Sequence, residues 1–164
     1  MKKLVFASLA LATLLSSCEE KEPKVDISYE KALMNRKWIV VQVRQNANVN
    51  EPTNVWNDIT NSADPCVKDN RLMFTSKTEA LLDEHFRKCT ESDPQTRNYG
   101  YVLENDNYIK IFTNRADING STWRGGAFEW SDSITRFTID ERIANPLTPT
   151  VLVSTIYTYQ NVAN

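Results

Sequence analysis

The chain has 164 residues, with 19 Lys and Arg against 21 Asp and Glu, and 41% of its residues are hydrophobic. This length is typical of one domain, and the apolar fraction suffices for one hydrophobic core, so the composition excludes a globally disordered chain. The balanced charge leaves no basic stripe that could neutralise phosphates, which argues against nucleic acid as a partner.

The first residues have the pattern of an export signal. Lys2 and Lys3 form a short basic segment, and residues 4–15 form an apolar run of twelve residues that only Ser8 and Thr13 interrupt. A helix that spans a membrane needs roughly 20 apolar residues, so a run of this length is typical of a signal peptide. We therefore expect residues 1–17 to be a signal peptide that is removed on export.

The segment that follows, Leu15-Ser16-Ser17-Cys18, resembles the lipobox of bacterial lipoproteins. The resemblance implies that Cys18 is lipidated and becomes the new N-terminus; the alternative is an ordinary signal peptide with a chance cysteine. Each buried methylene of an acyl chain contributes roughly 0.8 kcal/mol, so several chains hold a protein firmly on a membrane. We expect residues 18–27 to form a lipidated tether and the protein to lie in the bacterial cell envelope, on the outer membrane.

Two further cysteines, Cys66 and Cys89, remain when Cys18 carries lipid. An exported chain meets an oxidising compartment, where such a pair usually forms a disulfide. The alternative is metal or redox chemistry, but neither cysteine lies in a C-x-x-C motif and His85 is not at a usual zinc-ligand spacing. The residues therefore predict a Cys66–Cys89 disulfide, with no metal and no other cofactor.

Residues 28–35 suit a short helix with Ser28 as its N-cap, and the rest of the chain has the pattern of strands. Residues 46–64 are typical of a long polar loop, Cys66 to Asn70 of a turn, and residues 78–87 are compatible with helix or strand. Turns are predicted at residues 104–107 and 119–120. The predicted strands are 38–45, 71–75, 98–103, 108–113, 122–130 with a break at Gly125-Gly126, 134–140 and 151–160.

Seven or eight strands at hairpin spacing, with no long helices between them, exclude a parallel α/β fold. They predict an all-β, antiparallel sandwich or barrel. An antiparallel barrel of about eight strands is just wide enough to be filled by side chains or to hold one small ligand.

Three segments together resemble the lipocalin-like lipoproteins of Bacteroidota. Asn35-Arg36-Lys37-Trp38 is similar to the G-x-W start of the first strand in that family, with Arg36 in place of the glycine. The segment 65–70, which leads into Leu72-Met73-Phe74, is similar to the C-x-K-D motif, and Cys89 takes the place of the second cysteine. The resemblance implies an eight-stranded lipocalin-like barrel over residues 28–164, closed or partly open, with a short N-terminal helix.

The expected function is the binding of a small, partly apolar ligand inside this barrel. Strand alternation assigns four aromatic residues as the candidate lining of the pocket: Tyr101, Phe112, Phe137 and Tyr157. The alternative is an envelope protein–protein interaction module without a small-molecule pocket, an accessory subunit or an enzyme inhibitor that acts through the loop at residues 46–64.

Catalysis is not expected. His85 is the single histidine, and no G-x-S-x-G nucleophile elbow is present. The adjacent acids Asp83 and Glu84 would point to opposite faces of a strand and so would not share a site.

Overall fold

The computed structural model describes residues 29–53, 55–113, 121–131 and 134–162. The predicted signal peptide, the tether with Cys18, Ser28 and the predicted turn at residues 119–120 lie outside these ranges. Within them the helices are α1 (Tyr29–Leu33) and α2 (Pro65–Asp69). The strands are β1 (Lys37–Asn46), β2 (Asn57–Asp58), β3 (Arg71–Phe74), β4 (Glu79–Asp83), β5 (Thr96–Glu104), β6 (Tyr108–Phe112), β7 (Thr122–Trp130), β8 (Arg136–Asn145) and β9 (Thr148–Val162).

The strands form one antiparallel sheet that closes on itself. Sequential neighbours pair from β3 to β9, β1 pairs with β3, and β9 returns to pair with β1 from Lys37↔Val162 to Asn46↔Ser154. Eight strands thus form a closed barrel, while the two residues of β2 pair with β1 beside β3. The predicted all-β, eight-stranded antiparallel barrel is confirmed, and the pairing of β9 with β1 shows that it is closed.

Local structure follows the sequence at several positions and departs from it at others. Residues 78–87, compatible with helix or strand, contain β4. The predicted turn at Glu104–Asn107 is present, with Asn105 and Asp106 in the left-handed region that these residue types tolerate.

The turn predicted at Cys66 to Asn70 is wrong, because the first four of these residues lie in α2 and Asn70 is its C-cap. Pro65 occupies the first turn, where its missing N–H is not needed, and the Asp64 carboxylate accepts a hydrogen bond from the Cys66 N–H at 3.0 Å. A proline at the start and an acceptor before it are the signals of a helix N-terminus.

The break predicted in β7 is also absent. The strand continues through both glycines, which pair with Lys110 and Ile109 of β6, and Gly126 lies directly against the backbone of β8. A Cβ atom at this position would be 2.0 Å from the Asp140 carbonyl oxygen. Here the glycine permits the close approach of two strands and does not interrupt the sheet.

An aromatic core fills the end of the barrel at which β1 begins. Trp38 is fully buried, and its indole N–H donates to the Leu33 carbonyl at 3.1 Å, which ties α1 across this end. Phe137 packs between Trp38 and Tyr159, with ring centroids 4.8 Å from each. No helix in the described ranges is long and apolar enough to cross a membrane.

Candidate functional site

A cavity of about 190 Å³ lies inside the barrel, beyond the aromatic core. Its apolar wall is formed by Val40, Leu72 and Leu82, which point inward from β1, β3 and β4. An interior cavity of roughly 150 Å³ holds a benzene molecule, whereas pockets for drug-sized ligands start at roughly 300 Å³. The cavity is therefore large enough for one small molecule.

A cap covers the cavity; it consists of α2 with its C-cap residue Asn70 and of the loop at residues 84–95. The disulfide between Cys66 and Cys89 joins its two parts, which confirms the predicted pairing. The Asp69 carboxylate adds a second link, because its Oδ2 accepts hydrogen bonds from the Phe86 and Arg87 N–H groups at 2.7 and 2.8 Å. The cap residues that line the cavity are Val67, Asn70, Glu84, Cys89, Thr90 and Asp93.

Removal of this disulfide is expected to lower the free energy of unfolding by about 3 kcal/mol, since it closes a loop of 23 residues in the unfolded chain. Urea unfolding of the Cys66→Ala, Cys89→Ala double variant measures the loss. A reducing agent should lower the free energy of unfolding of the native protein by a similar amount and leave that of the double variant unchanged. A double variant as stable as the native protein would contradict the assigned role.

Three charged side chains connect the cap to the barrel wall. Glu84, only 1% exposed, forms an ion pair with Arg97, and the same guanidinium also binds Asp93. The second oxygen of Glu84 accepts a hydrogen bond from the Cys89 N–H at 3.2 Å. A buried carboxylate is costly unless it is paired, so Arg97 makes the buried position of Glu84 tenable.

Arg124 is the other cation of the cavity, and its environment is different. It is 7% exposed, and its Nη1 donates to the Tyr159 hydroxyl at 2.6 Å. Its guanidinium carbon lies 3.5 Å from the ring centroid of Tyr157 and 4.8 Å from that of Trp123. These rings hold the guanidinium in place by cation–π contacts.

The ionisation of these groups is set by burial and by their neighbours. Burial raises the pKa of Tyr159, and the Arg124 guanidinium offsets only part of that effect, so the phenol is neutral at pH 7. Burial by itself lowers the pKa of Arg124, but its contacts with Tyr159 and Tyr157 outweigh this and keep the pKa above its ordinary value. Burial also raises the pKa of Tyr99, whose ring stacks on Trp123.

The four aromatic residues predicted as the pocket lining lie at different places, and none is among the residues that line the cavity in the described chain. Tyr101 is in the aromatic core, where its hydroxyl donates to the Ser76 carbonyl at 2.9 Å. Phe137 is fully buried in the same core. Phe112 is buried at a bulge where the pairing of β6 and β7 shifts register. Tyr157 reaches the site through its contact with Arg124.

The sequence contains a signal for Arg124 that depends on the continuity of β7. Counting back in steps of two from the buried Phe128 places Gly126 and Arg124 on the same inward face. A charged residue at an inward position of a barrel strand indicates a polar interior. The break predicted at Gly125-Gly126 ends this alternation before it reaches Arg124, so the inward position of Arg124 was missed.

The residues weighed for catalysis are separated. Glu84 faces the cavity, whereas Asp83 accepts hydrogen bonds from the His85 N–H and from Gln95. Partial burial raises the pKa of Asp83, but these hydrogen bonds together outweigh it and hold the pKa below its ordinary value. His85 contacts Arg71 Nη2 through its Nε2 at 2.6 Å. Among the described residues, no three His, Cys, Asp or Glu side chains are grouped as metal ligands would be.

Family models, curated proteins and solved structures were compared with this chain, and none of them matches it.

Proposed function

We propose that this chain is a bacterial lipoprotein, anchored through Cys18 in the outer membrane, whose lipocalin-like barrel binds a small, partly apolar ligand. The observation that carries the proposal is the cavity, because it combines an apolar wall with buried polar atoms. Asn70 Oδ1, Arg97 Nε and Arg124 Nε have no hydrogen-bond partner among protein atoms of the described residues. Buried polar atoms are usually bonded, and a ligand with both apolar and polar groups would satisfy them.

Binding accounts for the site better than catalysis does. Both carboxylates at the cavity, Glu84 and Asp93, are engaged by Arg97. A general acid or base must reach the proton it transfers, and these oxygens already accept hydrogen bonds from the guanidinium.

Mass spectrometry of the processed chain tests both parts of the proposal. The chain is expressed with its leader, extracted from membranes in mild detergent, and measured under native and under denaturing, non-reducing conditions. We expect the denatured mass to correspond to residues 18–164 with acyl chains and one disulfide. We expect the native mass to exceed it by the mass of one small ligand.

The two parts can fail separately. A chain that keeps residues 1–17 or carries no acyl mass would contradict the lipid anchor. A lipidated chain with equal native and denatured masses would contradict a retained ligand and favour the alternative, an envelope interaction module. The β8–β9 hairpin offers an apolar surface for that alternative, because Ile143 and Leu147 are exposed there.

A further inference from the structure

We propose that the cavity takes a small organic monoanion, a carboxylate with a compact apolar body, and that Arg124 is its anchor. This inference rests on the proposed ligand-binding function and names the chemical class of the ligand. Its starting point is the difference between the two arginines of the cavity.

Arg97 and Arg124 line the same cavity but have different partners. Arg97 binds two carboxylates, those of Glu84 and Asp93. Arg124 is more deeply buried and, in the described chain, has no carboxylate within ion-pair distance; its protein hydrogen bond goes to the neutral hydroxyl of Tyr159. A buried charge without an ionic partner is costly, so an anion beside Arg124 would be stabilised.

The charges around Arg124 limit the ligand to one negative charge. Arg97 is already paired with two carboxylates, those of Glu84 and Asp93, and Glu141 acts on Arg124 at longer range. Among the described residues that line the cavity, Arg124 is therefore the cation left to pair with an incoming anion, and a dianion such as a phosphate monoester would add one more uncompensated negative charge than a monoanion. Carboxylates with a single charge fit this balance.

The geometry of Arg124 suits a carboxylate. The rings of Trp123 and Tyr157 hold the guanidinium, and its Nε has no hydrogen-bond partner among the described residues. The Tyr159 oxygen accepts a hydrogen bond from Arg124, so its own O–H is available to donate. Arg124 Nε and the Tyr159 hydroxyl are thus each available to donate a charge-assisted hydrogen bond to an anion in the cavity.

The opposite side of the cavity determines the body of the ligand. Val40, Leu72 and Leu82 present apolar side chains, and the volume of about 190 Å³ admits a molecule slightly larger than benzene. A benzoate-sized molecule meets both conditions. A long acyl chain exceeds this volume.

Three probes of similar size but different charge test the inference: benzoate, benzyl alcohol and benzylamine. They are titrated by calorimetry into the processed chain, and Trp123 provides a fluorescence signal because it lines the cavity. The titrations use protein whose native and denatured masses agree, so that no copurified molecule occupies the site. We expect the affinity for benzoate to be at least about tenfold higher than that for benzyl alcohol, and the affinity for benzylamine to be the lowest of the three.

Variants assign the preference to Arg124. Arg124→Met keeps the length of the side chain and should abolish the preference for benzoate while binding of benzyl alcohol persists. Arg124→Lys keeps the charge but loses the planar fork, and it should retain part of the preference. The matched control is Arg36→Met, because Arg36 also lies over a ring, that of Trp38 at 6.0 Å, but near the aromatic core. We expect this control to leave the preference unchanged.

The outcomes separate this inference from the proposed function. Equal affinity for benzoate and benzyl alcohol in the native protein would overturn the anion preference and leave ligand binding intact; this comparison needs no variant. A preference that survives in folded Arg124→Met would overturn the role of Arg124. If none of the three probes binds, the cavity does not accept molecules that match it in size, and the proposed ligand site itself is overturned.

Discussion

Replacement of Phe137 by alanine is expected to lower the free energy of unfolding by about 3–5 kcal/mol. Phe137 is fully buried, and its ring packs against Trp38, Phe128 and Tyr159 in the aromatic core. The variant loses this apolar burial and leaves a cavity that the closed barrel cannot fill by collapse. Urea or thermal unfolding, followed by far-ultraviolet circular dichroism, measures the loss.

The matched control for this change lies on the same strand. Ile143 is 56% exposed, so Ile143→Ala should change the stability by less than about 0.5 kcal/mol. A loss below about 1 kcal/mol for Phe137→Ala would indicate that Phe137 borders open space, as a pocket residue would, and would contradict its place in the core.

Gly126→Ala is expected to destabilise the barrel by about 3 kcal/mol, at the upper end of what overpacking costs. The new Cβ would be 2.0 Å from the Asp140 oxygen and 2.5 Å from its carbonyl carbon. These are backbone atoms, so β8 has to move away from β7 and no side chain can yield instead. Denaturant unfolding of the purified variant measures the effect, and failure to accumulate in the folded state is its limiting case.

Gly125→Ala is the control, because it makes the same chemical change one residue earlier. There the nearest atoms to a new Cβ are 3.2 Å away, the Ile109 carbonyl oxygen and the Thr122 methyl group. A small adjustment relieves these contacts, so we expect a change of less than about 1 kcal/mol. Similar losses for the two alanine variants would mean that the close approach of β7 and β8 is not what requires Gly126.

Most of the fold is readable from local sequence patterns. The β-branched segment in β1, the alternation in β5 and β6, and the polar turn at Glu104–Asn107 each depend on residues close together in the chain. Local propensity and short-range alternation determine these features, so no knowledge of distant contacts is needed to predict them. The pair Cys66 and Cys89 is predicted in a different way, from the number of cysteines and the oxidising compartment expected for an exported chain.

The helix α2 and the continuity of β7 were misjudged for different reasons. At α2 a local signal, Asp64 followed by Pro65, competed with turn-forming residues at its other end. At β7 the decisive contact is between Gly126 and Asp140, which are joined only by the pairing of β7 with β8. A glycine that permits close packing and a glycine that ends a strand have the same appearance in a sequence.

Residues close together in the chain suffice to predict an all-β chain with antiparallel strands and a short N-terminal helix, and the number of cysteines indicates a disulfide. The pairing of β9 with β1, which closes the barrel, and the position of the predicted pocket residues Tyr101 and Phe137 in the core depend on contacts between distant residues and are known from the tertiary structure alone. The tertiary structure also shows that Arg97 forms ion pairs with two carboxylates, whereas Arg124 forms none within the described chain. Those partners come from different strands and from the cap, and only the closed barrel brings them within bonding distance.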